Sequence, residues 1–289
     1  VHHTFDIVII DLDGTLLRSD GSISAADRDA VAEARSSGLD VLIATGRSLA
    51  EARPALEAIG HDGLAITAGG AVLTDLRTDT TLLRRPMCSN VVAEVTNTLV
   101  QHGHKSLILK DAQAVGYDYL AVGSHALDPA SQWWFDQLDV DVRFIDDLQE
   151  DEHPEDTVRT AAVARCGALA PLAERLRDAL GDRASLQHWS AVTESEAIGS
   201  STHLLEVFDR DVHKWSMVRA CCEQFGIDPA RTAAIGDGLN DVQLVREAGL
   251  GVAMANADER VLEVARRTTT SNDENGVARA LESLVTGRW

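Results

Sequence analysis

Three short stretches, residues 5–10, 41–44 and 64–67, are apolar almost throughout, and each halts at a polar or glycine-rich turn. A strand wetted on one face alternates apolar with polar side chains. One that is apolar at nearly every position is buried on both faces, as in a parallel sheet covered by helices. The segments between them carry helical signals. Ser24 with Asp27 has the form of a capping box, Ala26, Ala30, Val31 and Ala34 make a stripe, and Gly38 supplies a stop. Ser48 and Glu51 open a second helix, which Pro54 is expected to bend. Strand, helix, strand, helix, strand at this spacing predicts right-handed parallel crossovers.

The same texture returns late in the chain. A helix is expected over 214–225, a strand over 232–236 ending at Asp237, a helix over 240–248, a strand over 250–254 and a final helix near 276–285. Between the two halves the pattern shifts to shorter strands (106–110, 158–163, 204–208) and helices near 89–102 and 170–180. The expected architecture is α/β: a Rossmann-like parallel-sheet core from residues 1–81 and 209–289, interrupted by an α+β domain over 82–208. Within that insertion, the acidic stretch 146–156 reads as a solvated surface loop, and Trp133, Trp134, Phe135 and Trp189 read as packing residues.

Charge limits the partners. Lys and Arg number 26 against 46 Asp and Glu, and the resulting net charge of −20 repels nucleic acid and acidic membranes. No apolar run approaches the ~20 residues that span a bilayer, and no basic-then-apolar leader opens the sequence, so the default expectation is cytoplasmic. The four cysteines lack metal or redox spacing and read as free thiols, and the ten scattered histidines predict no histidine metal site. An anionic ligand would need a local positive group. Lysine is rare in this chain (Lys105, Lys110 and Lys214), which draws attention to Lys214 at the start of its helix.

Four distant segments each end a core strand or open the next helix: Asp11-Leu-Asp13, Thr45, Lys214, and Gly236-Asp-Gly-Leu-Asn-Asp241. Ligands of open parallel sheets gather at the carboxyl ends of the strands, so these segments are expected to converge. Clustered carboxylates repel one another unless a hard divalent cation sits among them. Mg²⁺ suits Asp11, Asp237 and a backbone oxygen at Asp13. Asp241 either joins that ligand set or caps the helix that follows it.

In these segments the chain resembles the haloacid dehalogenase superfamily, in the Cof-type group (subfamily IIB) that carries a large cap inserted after the third core strand. Asp11-Leu-Asp-Gly-Thr is similar to the first motif, Thr45-Gly-Arg to the second, Lys214 to the third and Gly236–Asp241 to the fourth. The segments Val252-Ala-Met-Ala-Asn-Ala and Asn272-Asp-Glu-Asn-Gly-Val also resemble that group. Two departures stand out. Gly69-Gly70 replaces the usual Asn-Gly, and Asp211-Val-His precedes Lys214 where Gly-Val-Ser or similar is usual.

The resemblance implies a Mg²⁺-dependent phosphatase acting on a small phosphate ester, with a sugar phosphate the leading expectation. Asp11 would be the nucleophile that forms a phosphoaspartate. Asp13 would first protonate the leaving group and then activate water. Thr45, Gly46, Lys214 and Asn240 would hold the phosphoryl group, and Arg47 would face either the substrate or the cap. The cap would close over the site and choose the leaving group. A sugar phosphomutase, which hands the same phosphoaspartate to another hydroxyl, is the nearest alternative. A non-catalytic phosphometabolite-binding protein is a further one, against which Asp13 argues. The exact substrate and the oligomeric state are open at this level.

Overall fold

The computed structural model describes residues 4–190 and 202–289. The chain begins with β1 (Ile7–Ile10), α1 (Ala25–Ser37), β2 (Asp40–Ala44), α2 (Leu49–Ala58), β3 (Leu64–Thr67), β4 (Val72–Asp75) and β5 (Thr80–Arg84). It continues through α3 (Ser89–Gln101), β6 (Ser106–Lys110), α4 (Ala112–Val115), β7 (Tyr119–Val122), α5 (Pro129–Gln137), β8 (Val142–Ile145), β9 (Thr157–Arg165), α6 (Cys166–Leu180), β10 (Ala184–Ser190) and β11 (Thr202–Asp209). The last part holds α7 (Lys214–Phe225), β12 (Thr232–Gly236), α8 (Val242–Glu247), β13 (Leu250–Ala253), α9 (Glu259–Val264), β14 (Arg267–Thr268) and α10 (Gly276–Val285). These elements form two compact units, Val1–Leu82 with His213–Trp289, and Leu83–Val212.

The first unit is built on a sheet of order β14-β13-β12-β1-β2-β3-β4-β5. From β14 to β3 every neighbouring pair is parallel, and β4 turns back antiparallel to β3. All four residues of β1 are buried, as its unbroken apolar sequence requires. Each such side chain contributes roughly 1.5–3 kcal/mol on leaving water. The helix signals are realised in detail. The Ser24 hydroxyl accepts the Asp27 amide at 2.9 Å, and Gly38 ends α1 at φ 94°. At α2 the Ser48 hydroxyl accepts the Glu51 amide while the Glu51 carboxylate accepts the Ser48 amide, and the helix runs on through Pro54 to Ala58. The late helix expected over 240–248 is split: a 3₁₀ turn over Leu239–Asp241 leads into the shorter α8.

The second unit has a six-stranded sheet of order β10-β11-β9-β6-β7-β8, antiparallel except where β7 meets β8. Val91, Val95 and Leu99 of α3 and Leu169, Leu172 and Leu176 of α6 share one core with Ile108, Ala162 and Leu205 of the sheet. The acidic stretch 146–156 is not a solvated loop throughout. Asp151 is drawn inward by the buried Lys110, whose ammonium donates to it at 2.6 Å, to the His153 carbonyl at 2.8 Å and to the Thr157 hydroxyl at 2.9 Å. Asp156 is likewise paired with Arg84, which also reaches Asp111 at 3.2 Å. A buried lysine must have its charge met, and the nearest acidic loop meets it. Trp133 and Trp134 are half-buried on α5 and Trp189 half-buried on β10.

Candidate active site

Because β1, β2 and β12 run parallel, with Ile10 opposite both Ile43 and Ile235, the residues that follow these strands emerge at one edge of the sheet. Asp11, Thr45 and Asp237 all lie there. Asp11 is only 4% exposed, and its amide donates to the Ile235 carbonyl, which locks the end of β1 to β12. Lys214, the first residue of α7, is fully buried. Its ammonium donates to Asp11 Oδ1 at 2.5 Å and to Asp241 Oδ1 at 2.7 Å. Carboxylate oxygens of Asp11, Asp237 and Asp241 lie within 4.8 Å of one another.

Asp241 also organises the loop that carries Asp237. Its Oδ2 accepts the amides of Asp237 at 3.1 Å and Gly238 at 3.0 Å. The side chain therefore turns back to the preceding loop and not onward to cap α8. Asn240 stands against Gly46: a Cβ placed on Gly46 would lie 3.6 Å from Asn240 Nδ2. Thr45 is wholly buried, and its hydroxyl accepts the Arg47 amide at 3.1 Å.

Asp13 is arranged differently from the other aspartates. Its side chain is 55% exposed and is paired with Arg47. Arg47 Nη2 donates to Oδ1 at 2.6 Å and Nε donates to Oδ2 at 3.0 Å. Of the sequence-predicted site residues, then, the buried Asp11, Asp241 and Lys214 form one group with the half-buried Asp237, Asp13 and Arg47 form a neighbouring ion pair, and Gly46 meets Asn240.

Electrostatics separate the members of the group. Burial, reinforced by the charges of Asp241, Asp237 and Asp13, pushes the Asp11 carboxyl well above the ordinary carboxylate range, even though Lys214 opposes the shift. Asp237 is pushed up to about 6, chiefly by burial and then by Asp241 and Asp13, against the Thr15 hydrogen bond. Burial alone would weaken the Lys214 ammonium, but Asp11 and Asp241 outweigh it and hold the group charged. Three carboxylates facing one ammonium leave two negative charges uncompensated, a deficit that one divalent cation would close. The donors are all hard oxygens, which suits Mg²⁺ and not a thiolate- or imidazole-seeking metal.

The loop after β1 is held by residues that the sequence reading did not single out. The Thr15 hydroxyl donates to Asp237 Oδ1 at 2.6 Å, and Asn256 Nδ2 donates to the Gly14 carbonyl at 2.8 Å. Asn256 Oδ1 in turn accepts the Asn272 amide, and Asn272 Nδ2 donates to the Leu17 carbonyl. The available signal was a pair of asparagines in the segments 252–257 and 272–277. Gly14 itself is fixed by two constraints: its φ is +75°, and a Cβ there would lie 2.2 Å from Asp237 Oδ2.

The two departures from the family pattern have local readings: Gly69, standing where Asn is usual, sits at φ +66°, in the left-handed region that Gly and Asn both adopt. His213 takes the capping role usual for serine: its Nδ1 accepts the Ser216 amide at 3.1 Å, while its own amide donates to the Ser216 hydroxyl. Gly70, at φ +109°, lets the turn after β3 pack against that cap, because a Cβ there would lie 2.4 Å from the His213 carbonyl oxygen.

The sequence pattern of the haloacid dehalogenase-like hydrolases matches residues 8–281, and the chain belongs to that family. Among its relatives, the 5-amino-6-(5-phospho-D-ribitylamino)uracil phosphatase YcsE of Bacillus subtilis is 27% identical over 96% of this chain and 95% of its own length. A phosphoglycolate phosphatase of Methanopyrus kandleri is 28% identical over 96% of this chain and 97% of its own. Among solved structures, a haloacid dehalogenase-like hydrolase from Bacteroides thetaiotaomicron superposes with a TM-score of 0.79 at 25% identity, covering 96% of this chain and 98% of that one. Among the described residues no helix is long and apolar enough to cross a membrane.

Proposed function

We propose that this protein is a Mg²⁺-dependent phosphatase that hydrolyses a compact phosphate monoester, a sugar phosphate or sugar-alcohol phosphate, by way of a phosphoaspartate on Asp11. The observation that carries the reading is the buried Lys214 ammonium bonded to both Asp11 and Asp241, with Asp237 in the same cluster. Support also comes from the relatives, whose names describe phosphatases of a phosphoribityl compound and of phosphoglycolate.

Asp11 and Asp237 would hold the metal, with Asp241 within reach and Asp13 contributing through its backbone oxygen. When bound, the cation cancels charge between the carboxylate nucleophile and the phosphoryl dianion. Asp11 attacks phosphorus in line, and the departing oxygen receives a proton from Asp13. Lys214 keeps Asp11 aligned and meets the negative charge that builds on the phosphoryl oxygens. The Thr45 hydroxyl, the Gly46 amide and the Asn240 amide group complete the cradle. In the second half-reaction a water oxygen attacks phosphorus, Asp13 takes its proton, and the bond to Asp11 breaks to regenerate the carboxylate.

Phosphate release from sugar phosphates, phosphoglycolate, flavin mononucleotide and p-nitrophenyl phosphate, with and without Mg²⁺, tests the reading. Turnover of at least one alkyl ester that is lost on chelation and restored by Mg²⁺ is expected. Absence of Mg²⁺-dependent release across the panel, or transfer between hydroxyls without free phosphate, would overturn it.

A further inference from the structure

We infer that Arg47 is a positioning residue for Asp13, which holds that carboxylate in the orientation from which it takes the proton of the water that hydrolyses the phosphoaspartate. The inference rests on the hydrolytic reading above and assigns Arg47 to Asp13 in place of the substrate.

Asp13 has little else to hold its side chain. The loop around it is pinned through the Gly14 carbonyl and the Thr15 hydroxyl, which fixes the backbone but not the carboxylate. That carboxylate is 55% exposed, and among the described residues its hydrogen-bond partner is Arg47. Arg47, by contrast, is anchored at its backbone and again at its guanidinium. Its amide donates to the Thr45 hydroxyl at 3.1 Å, its carbonyl accepts the Ala68 amide at 2.7 Å, and Nη1 donates to the Glu51 carbonyl at 3.3 Å. Glu51 belongs to the capped first turn of α2, so the guanidinium is a fixed fork and Asp13 is the group it carries. Two donors on two oxygens set the plane of the carboxylate, which a single ammonium could not do.

The chemistry favours one half-reaction. A carboxylate that accepts from a guanidinium is in the acceptor form, which is the form that takes a proton. As the water oxygen bonds to phosphorus, its proton passes to Asp13 and the electron pair of the breaking P–O bond returns to Asp11. Proton donation to the leaving group in the first half-reaction requires the fork to yield, so Arg47 supports hydrolysis of the phosphoenzyme more than its formation. General base catalysis contributes roughly 10²–10⁴-fold, and a misplacement of about 1 Å can cost about 10²-fold. Loss of Arg47 is therefore expected to slow dephosphorylation on the order of 10–100-fold.

Rapid-mixing kinetics with p-nitrophenyl phosphate in Mg²⁺ read the two halves separately, for the parent, Arg47→Ala, Arg47→Lys, Asp13→Asn and Asp13→Asn/Arg47→Ala. For Arg47→Ala the expectation is a burst of nitrophenolate close to one per enzyme, then a steady rate about 10–100-fold below the parent. Arg47→Lys should recover only part of that rate, and the double variant should dephosphorylate no more slowly than Asp13→Asn alone. The burst itself reports a folded site. If Arg47→Ala does not fold, Arg47→Lys and Asp13→Asn/Arg47→Lys carry the test through a smaller burst with the same non-additivity. A raised KM with no burst, or losses that multiply in the double variant, would assign Arg47 to the substrate and overturn the inference. Phosphate release by the parent with no phosphoenzyme in any variant would remove the covalent reading and the inference with it.

Discussion

Neutralising Asp237 should make the metal-free protein more stable and the enzyme inactive. The Asp237 carboxyl is pushed up to about 6 in the fold from an ordinary value of 3.8, because burial and the charges of Asp241 and Asp13 oppose ionisation. A folded value above the unfolded one means that the fold favours the protonated group. Below pH 3.8 both states are protonated and nothing is lost. As the pH rises through about 6, the folded group must ionise against its surroundings and stability falls. The gap of about 2 pH units, at 1.36 kcal/mol each, amounts to about 3 kcal/mol at pH 7.5. In Asp237→Asn the amide oxygen can still accept the Thr15 hydroxyl, but the group never ionises. At about 2–4 °C per kcal/mol, the variant should melt about 6–12 °C above the parent at pH 7.5 in chelator and close to it at pH 4. Scanning calorimetry is the assay, since it resolves the two units if they melt separately. Added Mg²⁺ should raise the melting temperature of the parent and not that of the variant. A variant that melts at or below the parent at pH 7.5, or keeps its advantage at pH 4, refutes the reasoning.

Four further outcomes follow from the same cluster. Lys214→Met leaves Asp11 and Asp241 buried without their cation and should destabilise the fold by about 3–5 kcal/mol in denaturant titration, with turnover abolished. Lys214→Arg should also lose most activity, because a planar fork needs more room than the ammonium that reaches both carboxylates. Gly14→Ala should cut Mg²⁺ affinity and turnover while far-UV circular dichroism stays near that of the parent, because the added methyl strikes the Asp237 carboxylate and not a core strand. Ca²⁺ should compete with Mg²⁺ without supporting turnover, since the larger ion tolerates 6–8 ligands and can take both oxygens of Asp11. Steady-state rates with Ca²⁺ titrated against Mg²⁺ check this, and equal rates in Ca²⁺ alone would exclude the geometry.

The parallel half of the fold was legible because burial leaves a simple trace. β1, β2, β3 and β12 are short apolar runs, and Ser24, Ser48 and Gly38 mark helix ends through chemistry that acts within three residues. β4 and β5 were missed because Thr74, Asp75 and Thr80 break the apolar pattern of strands lying towards a sheet edge. β8 was missed for a similar reason, since Arg143 and Phe144 both face solvent there. The burial of Asp151 and Asp156 was hidden because their partners, Lys110 and Arg84, lie 41 and 72 residues away. In the site, Asp11, Lys214 and the Gly236–Asp241 loop stood out as polar residues at the ends of apolar runs. The Asp13–Arg47 pair did not, since a side chain's direction at a turn depends on what is opposite it in space. Asn256 and Asn272 lay in segments that resembled the family, but their contacts with the Gly14 loop were hidden for the same reason.

The central claim, a phosphoaspartate on Asp11, is tested most directly by trapping it. Asp13→Asn protein, in which hydrolysis of the intermediate is slowed, is mixed with p-nitrophenyl phosphate and Mg²⁺, quenched, reduced with borohydride and digested for peptide mass spectrometry. Borohydride reduces an acyl phosphate to the alcohol, so homoserine is expected at position 11, dependent on both substrate and Mg²⁺. Turnover that proceeds with position 11 still aspartate, or with the reduced residue elsewhere in the chain, would contradict the account.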